Sequence, residues 1–349
     1  MTIEDKIANL DIFDYASSHS TEEIHFKIDK KSGMRAIIVI NSTKRGPALG
    51  GCRFIEYPDN FSAIKDAVRL AEGMSYKAAL AGLELGGGKS VIIKPSKSFD
   101  RREYMASFGK FVNDLNGRYI TALDSGTELN DMDIMGQHTT YLSSNSIFGD
   151  PSKHTALGIF KGIEAAVEIK LGKKSVNGLH IAIQGLGHVG FLLAEILYNN
   201  GAKLTVTDIN PKNVEKATSL LNAKFVETHN IHKVECDVFS PCALGAILNS
   251  QTISELNTTI VAGAANNQLE HKYHGDMIHN RGILYAPDYV INSGGLIFAA
   301  GQYFNHSDKE KEDKINKIKD TLLNIFQKSI YENIPSSHIA DKIAKELLD

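Results

Sequence analysis

The sequence predicts an α/β protein of two domains, and three observations predict it. Its 349 residues exceed what one hydrophobic core usually serves. From Thr155 to Val261, strand-like and helix-like stretches alternate, the pattern of a parallel sheet wrapped by helices. Between the first such strand and its helix stands Gly185-Leu-Gly187-His-Val-Gly190, a glycine-rich strand-to-helix turn. With 42% apolar residues the chain can fill two cores, and its 29 glycines are a mild excess over the usual ~7%.

The elements follow in chain order. Met34 to Asn41 is a β-branched run and reads as a buried strand. Phe61, Ile64, Val68 and Ala71 repeat at helical spacing behind Asp59-Asn60, which supplies an N-cap. Val91 to Lys94 and Tyr119 to Ala122 read as strands, with a helix between them from Arg101 to Leu115. Ser143 to Ser152 is polar, carries Gly149 and Pro151, and reads as the linker. Beyond it come a helix from Thr155 to Leu171, a strand from Leu179 to Gln184 and a helix from Val189 to Asn200. Further strands are expected at Lys203–Thr207, Val234–Phe239 and Thr259–Val261. Ile315, Ile318, Leu322 and Ile325 mark the buried face of a long C-terminal helix. The expected division is 1–142 for the first domain and 153–327 for the second, with helices from about 328 to 349 packing back on the first.

Composition excludes several classes. Charged residues at 23% and a net charge of −3 argue against a disordered chain and against the basic excess of a nucleic-acid binder. No run of about 18 apolar residues exists, so no membrane span is expected. Met1 to Asn9 has two acids before its first base and no apolar core, so it reads as neither a secretory signal nor a transit peptide. Cys52, Cys236 and Cys242 cannot all pair within one chain and fit no zinc spacing, which suits reduced thiols in a cytoplasmic protein. His229 and His232, like His271 and His274, lack an accompanying carboxylate pattern; they read as solvated histidines, and no metal is expected.

The glycine turn carries the first functional reading. Gly185 permits the tight turn, Gly187 lets backbone approach a pyrophosphate, and Gly190 lets helix pack close to strand. The helix N-terminus offers free N–H groups to phosphates. Asp208 ends the second strand, where a carboxylate accepts from a ribose 2′-hydroxyl and repels a 2′-phosphate. The reading is a Rossmann-type domain binding NAD in preference to NADP, with Lys212 near enough to soften the preference.

Leu85-Gly-Gly-Gly-Lys89-Ser90 carries the second. Its Gly-Lys-Ser end resembles a P-loop, but Leu83 occupies the position where the first glycine belongs, and a β-branched run follows instead of a helix. Three glycines beside a lysine suggest instead an ammonium in a crowded, partly dry site, where desolvation lowers a lysine's pKa and makes it a base near neutrality.

Gly46-Pro-Ala-Leu-Gly-Gly51, Gly73-Met-Ser-Tyr-Lys77 and Leu85–Lys89 together resemble the glutamate/leucine/phenylalanine/valine dehydrogenase family. Ser240–Gly245, Ala262–Leu269 and Tyr285–Gly295 extend the likeness, which runs from about Ile12 to the C-terminal helix and is greatest to the leucine-using branch. The resemblance implies a cleft between the two domains and NAD-dependent oxidative deamination of an amino acid to its 2-oxo acid and ammonia. It assigns Lys89 to the water that attacks an imine carbon and Asp124 to proton exchange with the amino group. Lys77, aided by backbone at Gly50 and Gly51, holds the substrate carboxylate, and Asn267 orients the substrate. Thr155, Ala243, Asn266 and Asn292 line the nicotinamide and its ribose.

Leu49, Met74, Leu296 and Ala299 would select the side chain; all are apolar, so a branched-chain substrate is expected, leucine first, and glutamate least. Phenylalanine, valine and tryptophan are the alternatives within the family. A non-catalytic NAD-binding regulatory protein is the alternative outside it. Leu123 stands where the leucine branch has an acid, Gly190 where it often has alanine, and Ser293 where an alanine is expected. The family resemblance further implies a homo-oligomer, with an octamer favoured.

Overall fold

A computed structural model describes residues 11–147 and 149–349; the reading of Met1 to Asn9 lies outside the described residues. The chain forms two compact units. One runs up to Gly149 and takes in Gln302–Asn305 and Leu347–Asp349; the other comprises Asp150–Gly301 and His306–Glu346.

In the first unit, α1 (Ile12–Ser18), β1 (Glu23–Ile28), β2 (Arg35–Ser42) and β3 (Ala48–Ile55) lead to α2 (Asn60–Leu80) and β4 (Gly86–Ile93). Next come α3 (Arg101–Asp114), β5 (Tyr119–Leu123) and α4 (Leu129–Gly136). The strands form one sheet in the order β1-β2-β4-β3-β5, antiparallel from β1 to β4 and parallel among β4, β3 and β5. Alternation along β2 decides what each face meets. Ile37 and Val39, with Val91 of β4, pack on Ala63, Ile64, Ala67, Val68 and Ala71 of α2. Ile38, Ile40 and Ile92 join Phe108, Val112, Met132 and Met135 of α3 and α4 in a second core. α2 begins as expected, with the Asp59 carboxylate accepting from Ser62 N–H at 2.8 Å, a cap of the kind that stabilises a helix by about 1 kcal/mol.

Three features of this sheet differ from the expectation. β1 and β3 are strands that no periodicity signalled, and β4 begins at Gly86, well before Val91. The glycines belong inside the strands because their neighbours leave no room for side chains. A Cβ on Gly87 would lie 2.0 Å from the Ser75 amide nitrogen of α2, and one on Gly50 would lie 1.7 Å from the Gly88 carbonyl oxygen.

The second unit opens with α5 (Ser152–Leu171), β6 (His180–Gln184), α6 (His188–Asn199), β7 (Lys203–Thr207), α7 (Pro211–Leu221) and β8 (Lys224–Phe225). β9 (Cys236–Pro241), α8 (Ser250–Glu255), β10 (Thr258–Val261), α9 (His274–Asn280), β11 (Leu284–Tyr285) and α10 (Asp288–Ile291) follow. α11 (Gly294–Tyr303), α12 (Asp308–Glu332) and α13 (Ser336–Leu348) complete it, apart from the last residues of α11 and α13. All six strands are parallel, in the order β11-β10-β9-β6-β7-β8. Counted from β6, this is the doubly wound order 3-2-1-4-5-6, whose winding reverses between β6 and β9. The face expected on α12 is buried, and Ile318 and Leu322 close on α5 at Gly158 and Gly162.

The C-terminal helices require a correction. Residues 328–346 group with the second unit instead of the first, and of this stretch Leu347–Asp349 alone group with the first. The contacts of α13 explain this. The Tyr289 hydroxyl donates to Asp341 at 2.6 Å, the Ser336 hydroxyl donates to the Tyr285 carbonyl, and Ile339, Ala340 and Ala344 are buried. Among the described residues, no helix is long and apolar enough to cross a membrane.

Candidate active site

In the first unit the glycine close approaches gather the polar groups. Lys89 stands two residues before Val91 on β4 and therefore shares its face, the α2 side of the sheet. It is buried there, and its ammonium pairs with the Asp124 carboxylate, which follows β5. Gly51 of β3 lies under that carboxylate, since a Cβ on it would meet Asp124 Cβ at 2.7 Å. The Thr127 hydroxyl fixes the turn after Asp124, accepting from the Asp124 amide at 3.0 Å and donating to its carbonyl at 2.7 Å. The Tyr119 hydroxyl donates to the Gly50 carbonyl at 2.6 Å and meets Ser90 Oγ at 3.0 Å, locking β5, β3 and β4 together. Met74 and Lys77 are half-buried one turn apart near the end of α2. Ser75 between them sits on Gly87, two residues before Lys89, so this end of α2 lies on the glycine stretch. Leu49 is buried on β3, opposite Gly87 in register.

Burial pushes the Asp124 carboxyl up, but Lys89, the Ser125 amide and Arg53 together outweigh burial and hold it below the usual carboxylate range. Asp124 is therefore an ionised base at neutral pH. Burial pushes the Cys52 thiol, in the core on the opposite face of the sheet, up to about 11, so it stays protonated.

In the second unit the glycine turn occupies the β6–β9 switch point. Gly185 has φ +96°, a left-handed conformation that favours glycine, and a Cβ there would meet Ala243, just past β9, at 2.9 Å. A Cβ on Gly190 would lie 2.0 Å from the Gly185 carbonyl oxygen, which is the close helix-to-strand packing the spacing predicts. Gly187 behaves differently. It is exposed at the start of α6, its φ of −65° suits any residue, and no protein atom occupies the space a Cβ would take. The Asp208 carboxylate follows β7 and accepts from the Leu186 and Asn210 amides at 2.5 and 2.7 Å, tying it to the glycine turn.

A second cluster surrounds Asn292, whose amide nitrogen donates to Asn266 Oδ1 at 2.7 Å and to the Ala264 carbonyl at 3.1 Å. Asn292 Oδ1 is buried and accepts no hydrogen bond among the described residues. Asn267 is left-handed, and its carbonyl accepts from Ala246 at 2.7 Å, which brings its loop to the one carrying Ala243. Thr155 packs on Gly295 at the start of α11. Leu296 and Ala299 also lie on α11, so they belong to the second unit while Leu49 and Met74 belong to the first. An open space at Gly187 on a helix N-terminus, a tethered acid after β7 and a buried amide oxygen without a donor fit a dinucleotide with a carboxamide head.

Two histidines are not the solvated groups expected. His232 is buried and pairs with Glu255 at 2.7 Å, and His274 is buried with its ring accepting from the His271 amide at 3.0 Å. Ser293, in place of the expected alanine, is buried with its hydroxyl donating to the Val290 carbonyl at 2.7 Å. One group escaped the sequence reading altogether. Arg53 stands two residues after Gly51, on the same face of β3, and its Nε lies 3.7 Å from Asp124 Oδ2. Strand alternation from Gly51 is the signal that could have found it.

Family models of known proteins match most of the chain. The model described as "Glu/Leu/Phe/Val dehydrogenase, dimerisation domain" matches residues 19–141. The model described as "Glutamate/Leucine/Phenylalanine/Valine dehydrogenase" matches residues 204–337. A leucine dehydrogenase of Thermoactinomyces intermedius is 45% identical over 342 residues, 97% of this chain and 93% of that protein. A phenylalanine dehydrogenase of the same organism is 38% identical, covering 97% and 94%. The crystal structure of L-tryptophan dehydrogenase from Nostoc punctiforme superposes with a TM-score of 0.88 at 39% identity, covering 96% of this chain and 98% of that one. With both unit sheets, the glycine turn and the Lys89–Asp124 pair in place, the chain belongs to the glutamate/leucine/phenylalanine/valine dehydrogenase family.

Proposed function

We propose that the protein oxidatively and reversibly deaminates a branched-chain L-amino acid, leucine first, using NAD and releasing the 2-oxo acid and ammonia. The observation that carries this reading is the buried Lys89–Asp124 pair lying over Gly51. It joins an ammonium to an ionised carboxylate, the two groups needed around an amine that must lose a proton and an imine that must gain water.

The first unit holds the amino acid in this reading. The Lys77 ammonium and the backbone at Gly50–Gly51 bind its carboxylate. Asp124 takes a proton from the substrate ammonium and leaves a neutral amine, whose lone pair then stabilises the iminium. When bound, NAD accepts the hydride from Cα. Lys89, once it has given its own proton to solvent, holds the water that adds to the iminium carbon and takes up one of its protons. Asp124 returns its proton to nitrogen, and as ammonia leaves the carbinol hydroxyl gives its remaining proton to solvent and becomes the 2-oxo carbonyl. Asn267 orients the substrate.

The second unit holds the dinucleotide at Gly185, Gly187, Gly190 and Asp208, with Thr155, Ala243, Asn266 and Asn292 around the nicotinamide and its ribose. The Asp208 carboxylate suits a ribose 2′-hydroxyl and repels a 2′-phosphate. Leu49, Met74, Leu296 and Ala299 offer only apolar contact to the substrate side chain, so none supplies the cation that a glutamate γ-carboxylate needs. Such pockets separate neighbouring side chains by only ~1–3 kcal/mol per methylene. Tryptophan is the second reading, supported by the likeness to the Nostoc punctiforme enzyme. The dimerisation description of the first family model supports a homo-oligomer, and the leucine-branch resemblance favours an octamer.

The test is to supply L-leucine with NAD or NADP and measure reduced cofactor, 2-oxo acid and ammonia. The expected result is one of each per turnover, with kcat/KM for NADP lower by about tenfold or more, equivalent to ~1.4 kcal/mol. Binding of NAD without turnover of any apolar amino acid would leave the non-catalytic reading standing.

A further inference from the structure

Arg53 ties two carboxylates together. Its Nη1 pairs with Asp66 Oδ2 of α2 at 2.6 Å, and the Tyr57 hydroxyl donates to the same oxygen at 2.7 Å. Asp66 also meets Arg69 at 3.3 Å. The guanidinium is thereby held from one side, while its Nε lies 3.7 Å from Asp124 Oδ2, too far for a hydrogen bond. Nε is buried and has no hydrogen-bond partner among the described residues. An unmade bond on a buried, charged donor is costly, so its place beside a reacting carboxylate calls for a reason. Lys89 from β4 and Arg53 from β3 face Asp124 on its side of the sheet, while Cys52 of β3 and Tyr119 of β5 feel its charge from the opposite face. Lys89 and Arg53 are the cations among them.

We infer that Arg53 is a positioning residue, the second cation that takes over the Asp124 carboxylate when Lys89 turns to the water destined for the imine carbon, before the amine gives up its proton. The inference rests on the deamination reading and adds to it a handover. With Lys89 paired to Asp124, the Arg53 Nε–H waits unbonded. Once Lys89 is engaged with water, a small shift of the carboxylate closes the Arg53 contact. Asp124 then stays ionised and oriented until it takes the amine proton, and Asp66 with Tyr57 keeps the guanidinium from following it.

Arg53→Gln tests this by pH profile. Asp124 must be ionised to accept the amine proton, so kcat/KM for deamination rises with pH through its pKa. Removing the neighbouring cation raises that pKa, and the acidic limb should move up by about one unit, with kcat down about tenfold or more. Arg53→Lys keeps the charge but cannot span Asp66 and Asp124 as a guanidinium does. Its limb should stay with the wild type while kcat falls about fivefold or more. An unmoved acidic limb in Arg53→Gln overturns the inference, because a merely structural arginine would lower activity at every pH alike. If Arg53→Gln does not fold, Arg53→Lys decides, and kcat within about twofold of wild type overturns it. The Asp124 titration, read by infrared difference against Asp124→Asn, needs no turnover. A raised midpoint in the arginine variant supports Arg53 as the cation that keeps Asp124 ionised and an unmoved one overturns it, whereas a wild type inert toward amino acids refutes the deamination reading itself.

Discussion

Lys89→Ala should lose roughly 10²–10⁴-fold in kcat/KM for amino-acid oxidation, the range that a positioned acid–base group supplies. Its dissociation constant for NAD should change by less than about twofold. The asymmetry follows from where the groups lie. Lys89 is buried in the first unit against Asp124, whereas Gly185, Gly187, Asp208 and Asn292 belong to the second. Arg53 remains 3.7 Å from the carboxylate, so the variant does not leave Asp124 without a cation, and it should fold. Steady-state kinetics with cofactor binding by fluorescence decides the matter. A variant that keeps more than about a tenth of wild-type activity would remove Lys89 from the chemistry.

Gly50→Ala should destabilise the first unit by about 3 kcal/mol or more, at the upper end of overpacking costs. The added carbon would lie 1.7 Å from the Gly88 carbonyl oxygen, which is backbone and cannot rotate away. β3 and β4 must separate, and Lys89, one residue beyond Gly88, moves with them; activity should fall with stability. Gly73→Ala provides the control. It lies inside α2 with no protein atom near the added carbon, so it should stabilise by about 0.5–1 kcal/mol. Urea unfolding of the two variants should shift the midpoint in opposite directions. Equal, small shifts would mean that the sheet spacing does not depend on glycine.

The fold of the second unit and its glycine turn were legible because their determinants are local. Gly185, Gly187, Gly190 and Asp208 are read from one strand, one turn and the next strand, and the doubly wound order follows from regular alternation. The substrate half was legible only in part. β3 carries Gly50 and Gly51, and β4 opens on three glycines, so neither shows the β-branched signal that marks β2. Their strand character comes from close approach to Gly88, Asp124 and Ser75, which is tertiary information. Arg53 escaped for the same reason: its partners Asp66 and Asp124 come from α2 and from beyond β5, joined only by sheet order. The amphipathic face of the C-terminal helices was readable, but periodicity does not say which body a helix docks on. Ser336, Asp341 and their partners near β11 and α10 decide that. His232 and His274 likewise owe their burial to partners distant in sequence or to the local turn.

The most direct test of the account is a comparison of kcat/KM for leucine, valine, phenylalanine, tryptophan and glutamate with NAD. Leucine should rank first and glutamate last, because the side chains proposed to select the substrate, Leu49, Met74, Leu296 and Ala299, are all apolar and include no cation for a γ-carboxylate. The highest value on glutamate would contradict the proposed selection by apolar side chains, and no turnover of any of the five would contradict the enzyme.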